Sequence, residues 1–160
     1  MKTSNLIIVA LWAGGATAQS FADRISSIPE LSNISFYVGQ NPELRSVFDS
    51  RNVTILAPED SAFHDLVGML QVNATEPLPN ATGIRGILEY HIVNGTHPST
   101  DFNSTPRFLS THLTNPGFTN VSGGQVVQIV DRDGTLECIS GLNAQARFVR
   151  SVSGRAPLCL

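Results

Sequence analysis

The sequence predicts a single domain of the α+β class, with helices in the first half of the chain and a sheet in the second. Between residues 21 and 91, apolar residues recur at helical spacing. After residue 107, short β-branched runs alternate with glycine-containing turns, which is typical of strands. The length of 160 residues, 41% of them apolar, suits one domain with its own core.

The first eighteen residues have the pattern of a secretory signal peptide. Lys2 precedes an apolar run over residues 6–12, and small residues follow up to Ala16, Thr17 and Ala18. This pattern predicts cleavage after Ala18. A buried strand and a membrane anchor are the alternatives, and the run is much shorter than the ~20 residues that span a bilayer.

The charge pattern argues against nucleic acid as a partner. Only 14% of the residues are charged, and Lys2 is the only lysine. The arginines are scattered rather than grouped in a basic stripe, which a nucleic-acid-binding surface would need. No further segment has the length or composition of a membrane span or a glycolipid-anchor tail, so we expect the mature chain to be soluble.

Potential N-glycosylation sites are unusually frequent. Seven of the eleven asparagines lie in Asn-X-Ser/Thr, where about two are expected from the serine and threonine content. Such an excess indicates passage through a glycosylating secretory pathway. The seven are Asn33, Asn52, Asn73, Asn80, Asn94, Asn103 and Asn120.

Helices are predicted from caps and apolar stripes. Asn41 followed by Pro42 is a typical helix start, and Asp60 is positioned to cap the next helix. The apolar stripes of the predicted helices are Leu31, Ile34 and Val38; Phe63, Leu66, Val67 and Leu70; and Ile84, Ile87, Leu88 and His91.

Strands are predicted from β-branched runs. Residues 53–57 form a buried strand that Pro58 ends, and further strands are expected within residues 107–113 and 146–149. Residues 125–130 and 136–140 form a hairpin around Asp133 and Gly134, with a loop longer than the two-residue minimum.

Three blocks of sequence stand out, and they occur in a fixed order. They are NVTILAPEDSAF (52–63), ILEYHIVNG (87–95) and NVSGGQVVQIVDRDGTLECISGL (120–142). In this order they resemble fasciclin-type domains, especially those of fungal secreted proteins, the third block more weakly than the first two. The resemblance implies a β-wedge or sandwich with several helices packed at its N-terminal side. It covers about residues 20–149.

The C-terminal residues depart from the family pattern. Residues 151–160 do not match the family's last strands, so the resemblance implies a domain truncated there. We therefore expect a signal peptide at 1–18, a single incomplete domain at 19–150 and an atypical tail at 151–160. In the family a late strand pairs beside the segment equivalent to 53–57, so this edge is expected to be unpaired, and the chain marginally stable.

No catalytic or metal-binding pattern is apparent. The four histidines (His64, His91, His97 and His112) lack ligand spacing, and Cys138 and Cys159 do not complete a zinc set. Nucleophile-elbow and nucleotide-binding motifs are absent as well. We predict no cofactor, no metal and no enzymatic activity. The sequence does not indicate whether the two cysteines pair.

Tyr90 and His91 have two possible roles. In the family this pair belongs to a segment implicated in adhesion, but His91 also continues the apolar stripe, which favours a hydrogen-bonded core histidine. We likewise interpret Asp60 as a helix cap rather than as a ligand-binding group.

The resemblance, the signal peptide and the sequons together predict a secreted, N-glycosylated adhesion domain at the cell surface or in the cell wall. Its partner is expected to be an extracellular protein or a cell-wall or matrix glycan. The first alternative is a secreted small-ligand or lipid-binding domain, and the second is a secreted hydrolase of an unrecognised type.

Overall fold

The computed structural model describes residues 4–10, 21–40, 42–48, 52–70, 81–119 and 121–153. Short 3-10 turns lie at Pro29–Leu31 and Ser99–Asp101. The helices are α1 (Phe21–Ile25), α2 (Ser32–Gln40), α3 (Pro42–Phe48), α4 (Asp60–Leu70) and α5 (Ala81–Tyr90). The strands are β1 (Ser4–Ala10), β2 (Val53–Pro58), β3 (Ile92–Asn94), β4 (Arg107–Ser110), β5 (Val126–Arg132), β6 (Thr135–Ile139) and β7 (Gln145–Ser153).

The N-terminal helices pack through the stripe that the sequence predicts. Leu31, Ile34 and Val38 are fully buried, and they share a core with Phe48 at the end of α3. Helix α3 begins at Pro42, as expected from a proline at the first helical position. Burial of one stripe in each helix provides most of the stability of such short helices.

Strand β2 is buried at all six of its positions because both of its faces are covered. Ile55 and Ala57 pack into the core beneath the helices. Leu56, which points the other way, packs into a second core with Leu109 of β4 and Ile129 of β5. The uninterrupted apolar run that predicted this strand therefore reflects its position between two cores.

The apolar run near the N-terminus forms a strand within the sheet. Strand β1 pairs antiparallel with β2, where Ile8 lies opposite Leu56, and parallel with β7, where Ile8 lies opposite Ser151. The edge of residues 53–57, which the sequence analysis expected to be unpaired, is therefore covered by β1. The segment that resembles a signal peptide is therefore a strand in this structure, with Leu6 in the core. A buried strand is one of the two alternatives that the sequence analysis gave for it.

The seven strands form one sheet in the order β3-β2-β1-β7-β6-β5-β4. An isolated bridge between Val93 and Thr111 brings the two ends of this order together. Leu6 and Leu56 meet Val127 and Ile129 in the core between the two halves of the sheet. The α+β class and the wedge of strands with helices on one side are confirmed.

The β5–β6 hairpin is tighter than predicted. Arg132 pairs with Thr135, so the loop consists of Asp133 and Gly134 alone. Both loop residues have positive φ, 54° and 81°, as a two-residue type I′ turn requires. The strands extend closer to the turn than predicted because polar residues continue the pairing at the exposed end of the hairpin.

Within the residues that the structure describes, no helix has both the length and the apolar composition of a bilayer-spanning segment.

Candidate functional site

A cavity of about 530 Å³ lies between helices α4 and α5 and the second core of the sheet. Its wall is mainly apolar and draws on distant parts of the chain, with residues from α4 and α5 and from strands β1, β2, β5, β6 and β7. The lining includes Leu6, Leu56, Phe63, Ile87, Val127 and Cys138. A concave, mostly apolar surface with a few polar groups is the usual form of a small-molecule site.

Tyr90, the last residue of α5, contributes the first polar group of this wall. Its hydroxyl accepts a hydrogen bond from the amide of Gly141 and donates one to the carbonyl of Val126, both at 3.3 Å. Burial raises the pKa of the Tyr90 hydroxyl, an effect that the bond from Gly141 partly offsets. The side chain thus bridges α5, β5 and the loop that follows β6.

His91 lies next to Tyr90 and also lines the cavity. Its Nδ1 is 2.7 Å from the carbonyl oxygen of Ile87, so Nδ1 carries the proton and donates it. Burial lowers the pKa of the His91 imidazole, and the bond to Ile87 opposes this shift. The ring is therefore neutral at pH 7, with Nε2 left as an acceptor. The backbone carbonyl of His91 also accepts the Leu56 amide at 2.9 Å, which continues the pairing beside β3.

Cys138 on β6 is a buried free thiol that faces the same cavity. Burial raises its pKa to about 12, which keeps it protonated at neutral pH and makes it a poor nucleophile. Cys138 has no disulfide partner among the described residues, and Cys159 lies outside them. The wall also carries Asp65, Ser140 and Gln145, but it is mainly apolar, as a site for an apolar group would be.

Comparison with known proteins identifies the family. The sequence profile of the fasciclin domain matches residues 29–145, which include every residue of the cavity lining except Leu6 and Ala146. The chain belongs to the fasciclin domain family. The resemblance given by the blocks at 52–63 and 87–95 is thereby confirmed.

Two curated relatives contain the same domain. A fasciclin-like arabinogalactan protein of Arthroderma benhamiae is 46% identical over 145 residues, covering 90% of this chain and 34% of that protein. The fasciclin-like arabinogalactan protein elcF of Phaeosphaeria nodorum is 30% identical over 142 residues, covering 89% of this chain and 43% of that protein. The chain thus spans less than half the length of the curated relatives it matches.

Asp60 of this fasciclin domain connects two helices. It is the first residue of α4, but its carboxylate accepts hydrogen bonds from the hydroxyl of Ser32 and, at 2.9 Å, from the amide of Asn33. Both partners are in the first turn of α2, where backbone amides lack intrahelical acceptors. Sequence reasoning missed this connection because the partners are 27 and 28 residues away along the chain.

Four of the predicted glycosylation sites fall among the described residues. Asn52, Asn94 and Asn103 are exposed, whereas Asn33 is half-buried. Asn52 and Asn94 are neighbours, because Val53 pairs with Asn94 and the amide of Gly95 donates to the Asn52 carbonyl at 2.9 Å. The other three, Asn73, Asn80 and Asn120, lie outside the described residues.

The fasciclin sheet also presents an apolar pair on its outer face. Phe108 on β4 is 67% exposed and Val126 on β5 is 43% exposed. Phe108 pairs with Gln128 and Ser110 pairs with Val126, so Phe108 and Val126 are diagonal neighbours on one face. The sequence analysis did not single out this pair. The alternation of exposed Phe108 with buried Leu109 is the pattern that could have indicated an apolar residue on the outer face of the strand.

The described residues contain no cluster of three or more side chains that could hold a metal ion.

His97 lies in the turn after β3 and makes two hydrogen-bond contacts there. Its Nε2 is 3.0 Å from the Asn94 carbonyl, and its amide donates to the Thr54 hydroxyl at 2.8 Å. His97 therefore stabilises the turn after β3.

Proposed function

We propose that this chain is a secreted, N-glycosylated and non-catalytic adhesion domain that binds cell-wall glycan through the outer face of β4 and β5. Membership of the fasciclin family supports this function, as do the curated relatives, which are named fasciclin-like arabinogalactan proteins. The proposed place of action is the cell surface or cell wall. The observation that carries the binding site is the exposed pair of Phe108 and Val126.

The exposed ring of Phe108 has the chemistry that a polysaccharide requires. An aromatic side chain offers a large flat apolar face at a small cost in conformational entropy. The C–H groups on one side of a sugar ring form a matching apolar face, and Ser110 and Gln128 supply hydrogen-bonding groups beside it. A single aromatic platform gives weak binding. Several copies of the domain bound to one polymer of repeating sugars would raise the apparent affinity by avidity.

Three of the predicted glycans can be placed relative to this face. Asn52 and Asn94 lie at the β2–β3 pair, and the bridge between Val93 and Thr111 places Asn94 near the end of β4. The carbonyl of Asn103 accepts the amide of Asp131, which places Asn103 beside the far end of β5. Asp131 is three residues beyond Gln128, which pairs with Phe108, so about 10 Å separates the two along the strand, and the Asn94 and Asn103 glycans border the proposed face.

A binding assay with purified, insoluble cell-wall polysaccharide tests the proposal. The full chain from a glycosylating host is incubated with the polymer, and the protein left in solution is measured over a range of polymer concentrations. We expect Phe108→Ser to lower the apparent affinity at least fivefold. Phe36→Ser is the matched control, because Phe36 is 60% exposed but lies on helix α2. Equal binding by the two variants would contradict the proposed surface.

The cavity supports a second candidate function, binding of a small apolar ligand or lipid. Its volume of about 530 Å³ and its apolar wall are within the range of ligand sites. Mass spectrometry of an organic extract of the purified protein tests this candidate, with a stoichiometric lipid as the expected result. Ala146→Phe, on the cavity wall, is expected to abolish it, and Val149→Phe, at an exposed position of the same strand, is the control. An extract without lipid would exclude this function.

A further inference from the structure

The cavity beneath helices α4 and α5 has an inner wall and a rim. Leu56, Val127 and Cys138 lie on three different strands, are buried, and form part of the inner wall. Asp65 on α4 and Ala144, directly before β7, are exposed, which places them at the rim. The apolar part of a bound molecule would therefore lie against the sheet, and the rim would face the solvent.

His91 supplies a hydrogen-bond acceptor to this wall. Its Nδ1 donates to the Ile87 carbonyl at 2.7 Å, and its backbone carbonyl accepts the Leu56 amide, so both the ring and the backbone are held in place. The opposite edge of the ring carries Nε2, which is an acceptor in this tautomer, and no described residue donates to it. Unlike Nε2 of His112, this atom is not sealed inside the protein, and it is accessible from the cavity.

The other polar groups of the lining make no comparable demand on a ligand. The Tyr90 hydroxyl already donates one hydrogen bond and accepts another. The Ser140 hydroxyl accepts the amide of Ala144 at 3.1 Å and keeps a proton to donate. The Gln145 amide offers both a donor and an acceptor. Nε2 of His91 is the group that requires a donor.

The charge of the lining argues against an anionic ligand. Among the described residues that line the cavity there is no lysine and no arginine to pair with a carboxylate or a phosphate. The His91 ring does not replace them, because burial lowers the pKa of its imidazole. The acidic side chain of Asp65 at the rim adds no attraction for an anion. An uncharged molecule fits this wall better.

A ligand that fills the cavity separates Nε2 of His91 from water. A chain without a donor leaves this acceptor unpaired in an apolar environment, which weakens binding, whereas a hydroxyl group supplies the missing bond. A site that hydrogen-bonds a hydroxyl discriminates against the analogue that lacks it. A hydroxyl is favoured over an amide, because an amide brings a carbonyl and an N–H group that both need partners.

We propose that the cavity selects an uncharged amphiphile, an aliphatic chain that ends in a hydroxyl group, and that this hydroxyl donates to Nε2 of His91 while the chain lies along Leu56 and Val127. The aliphatic chain matches the side chains of the lining, most of which are aliphatic. The inference rests on the second candidate function, binding in the cavity, and adds the head group that the cavity prefers. It does not depend on glycan binding at the outer face of β4 and β5.

The test compares three ligands that share one chain and differ in the head group. Decanol has a hydroxyl donor, decyl methyl ether keeps the oxygen without the donor, and decanoate carries an anion. Each is titrated calorimetrically into the purified full chain. His91→Phe keeps a ring at this position and removes both nitrogens. Ala146→Phe, on the cavity wall, is the control for binding elsewhere. Nitrogen NMR of the unaltered chain follows the ring nitrogens of His91 during the titrations.

We expect decanol to bind with a stoichiometry of one and about tenfold more tightly than the ether, with decanoate the weakest of the three. Decanol, and not the ether, should shift the Nε2 resonance of His91. His91→Phe should bind decanol and the ether with equal affinity, and Ala146→Phe should bind neither.

Two outcomes would overturn the proposal, and they differ in what they mean for the cavity. If the unaltered chain binds decanol and the ether equally and Ala146→Phe binds neither, the cavity is a ligand site without the proposed head-group preference. If none of the three ligands binds, the cavity function fails as well. The nitrogen resonance is measured on the unaltered chain, so the preference is tested even if His91→Phe does not fold.

Discussion

The hydroxyl of Tyr90 and the amide of Gly141 are joined by a hydrogen bond of 3.3 Å, although the two residues are 51 positions apart in the chain. The same hydroxyl donates to the carbonyl of Val126. One side chain thus connects the end of α5 to β5 and to the loop after β6, on the wall of the cavity. The conformation of the cavity therefore depends on the contact between helix and sheet.

Tyr90→Phe is expected to lower the free energy of unfolding by about 1 kcal/mol, since it removes the hydroxyl and leaves the ring in place. For a chain of this size the loss corresponds to a decrease in Tm of roughly 2–4 °C. Thermal unfolding followed by circular dichroism measures the change. An unaltered Tm would mean that the two hydrogen bonds contribute nothing to stability.

Asp60→Ala is expected to cost about 1–2 kcal/mol, because it leaves the first turn of α2 without its acceptor. The partner variant is Ser32→Ala, and a double-mutant cycle of the two isolates their interaction. Urea unfolding of the four proteins gives the coupling energy, which we expect to be about 1 kcal/mol. Additive effects would show that Asp60 does not act through Ser32.

His91 is expected to destabilise the fold in acid. Its pKa is lowered in the folded state by burial, so its contribution to stability is fully present above the unfolded pKa of about 6.5 and is lost as the pH falls through the folded pKa. His91→Gln, which cannot titrate, should cost about 1 kcal/mol at pH 7.5. The difference from the unaltered chain should narrow below pH 6.5. Urea unfolding from pH 7.5 to 4.5 measures it, and a constant difference would contradict this role.

Cys138 is expected to resist alkylation in the native protein. With a pKa of about 12 instead of the model-compound value of 9.0, its thiolate fraction at pH 8 is roughly a thousandfold lower than that of an ordinary cysteine. Native and unfolded samples treated with iodoacetamide are compared by peptide mass spectrometry. Rapid modification of native Cys138 would contradict the buried position.

The raised pKa of Cys138 also makes the stability of the fold depend on pH. The stability due to the protonated thiol is lost as the pH rises from about 9 through 12.

The parts of the fold that sequence could predict are those with strong local patterns. Strand β2 and helix α4 follow from an apolar run, a proline and a helical stripe, all within residues 53–70. The β5–β6 hairpin follows from Asp133 and Gly134, although its loop is shorter than expected. These features depend on neighbouring residues, so periodicity and turn chemistry suffice to locate them.

The features that sequence did not predict depend on contacts between distant residues. The role of Asp60 requires knowing that α4 begins beside α2, and the cavity requires knowing which strands lie beneath α5. The apolar run in β1 fits both a signal peptide and a buried strand, and its pairing with β2 and β7 cannot be read from periodicity alone. Whether the segment is cleaved in the cell stays a prediction.

The most direct test of extracellular wall binding is the distribution of the chain between cell wall and medium. The full chain and its Phe108→Ser and Phe36→Ser variants are expressed in a filamentous fungal host, and each is quantified by immunoblot in washed walls, culture medium and cell lysate. We predict that most of the unaltered chain and of Phe36→Ser is in the wall fraction, released by digestion of wall polysaccharide, and that Phe108→Ser shifts severalfold into the medium. Retention of all three inside the cell, or equal release of all three into the medium, would contradict the proposed function.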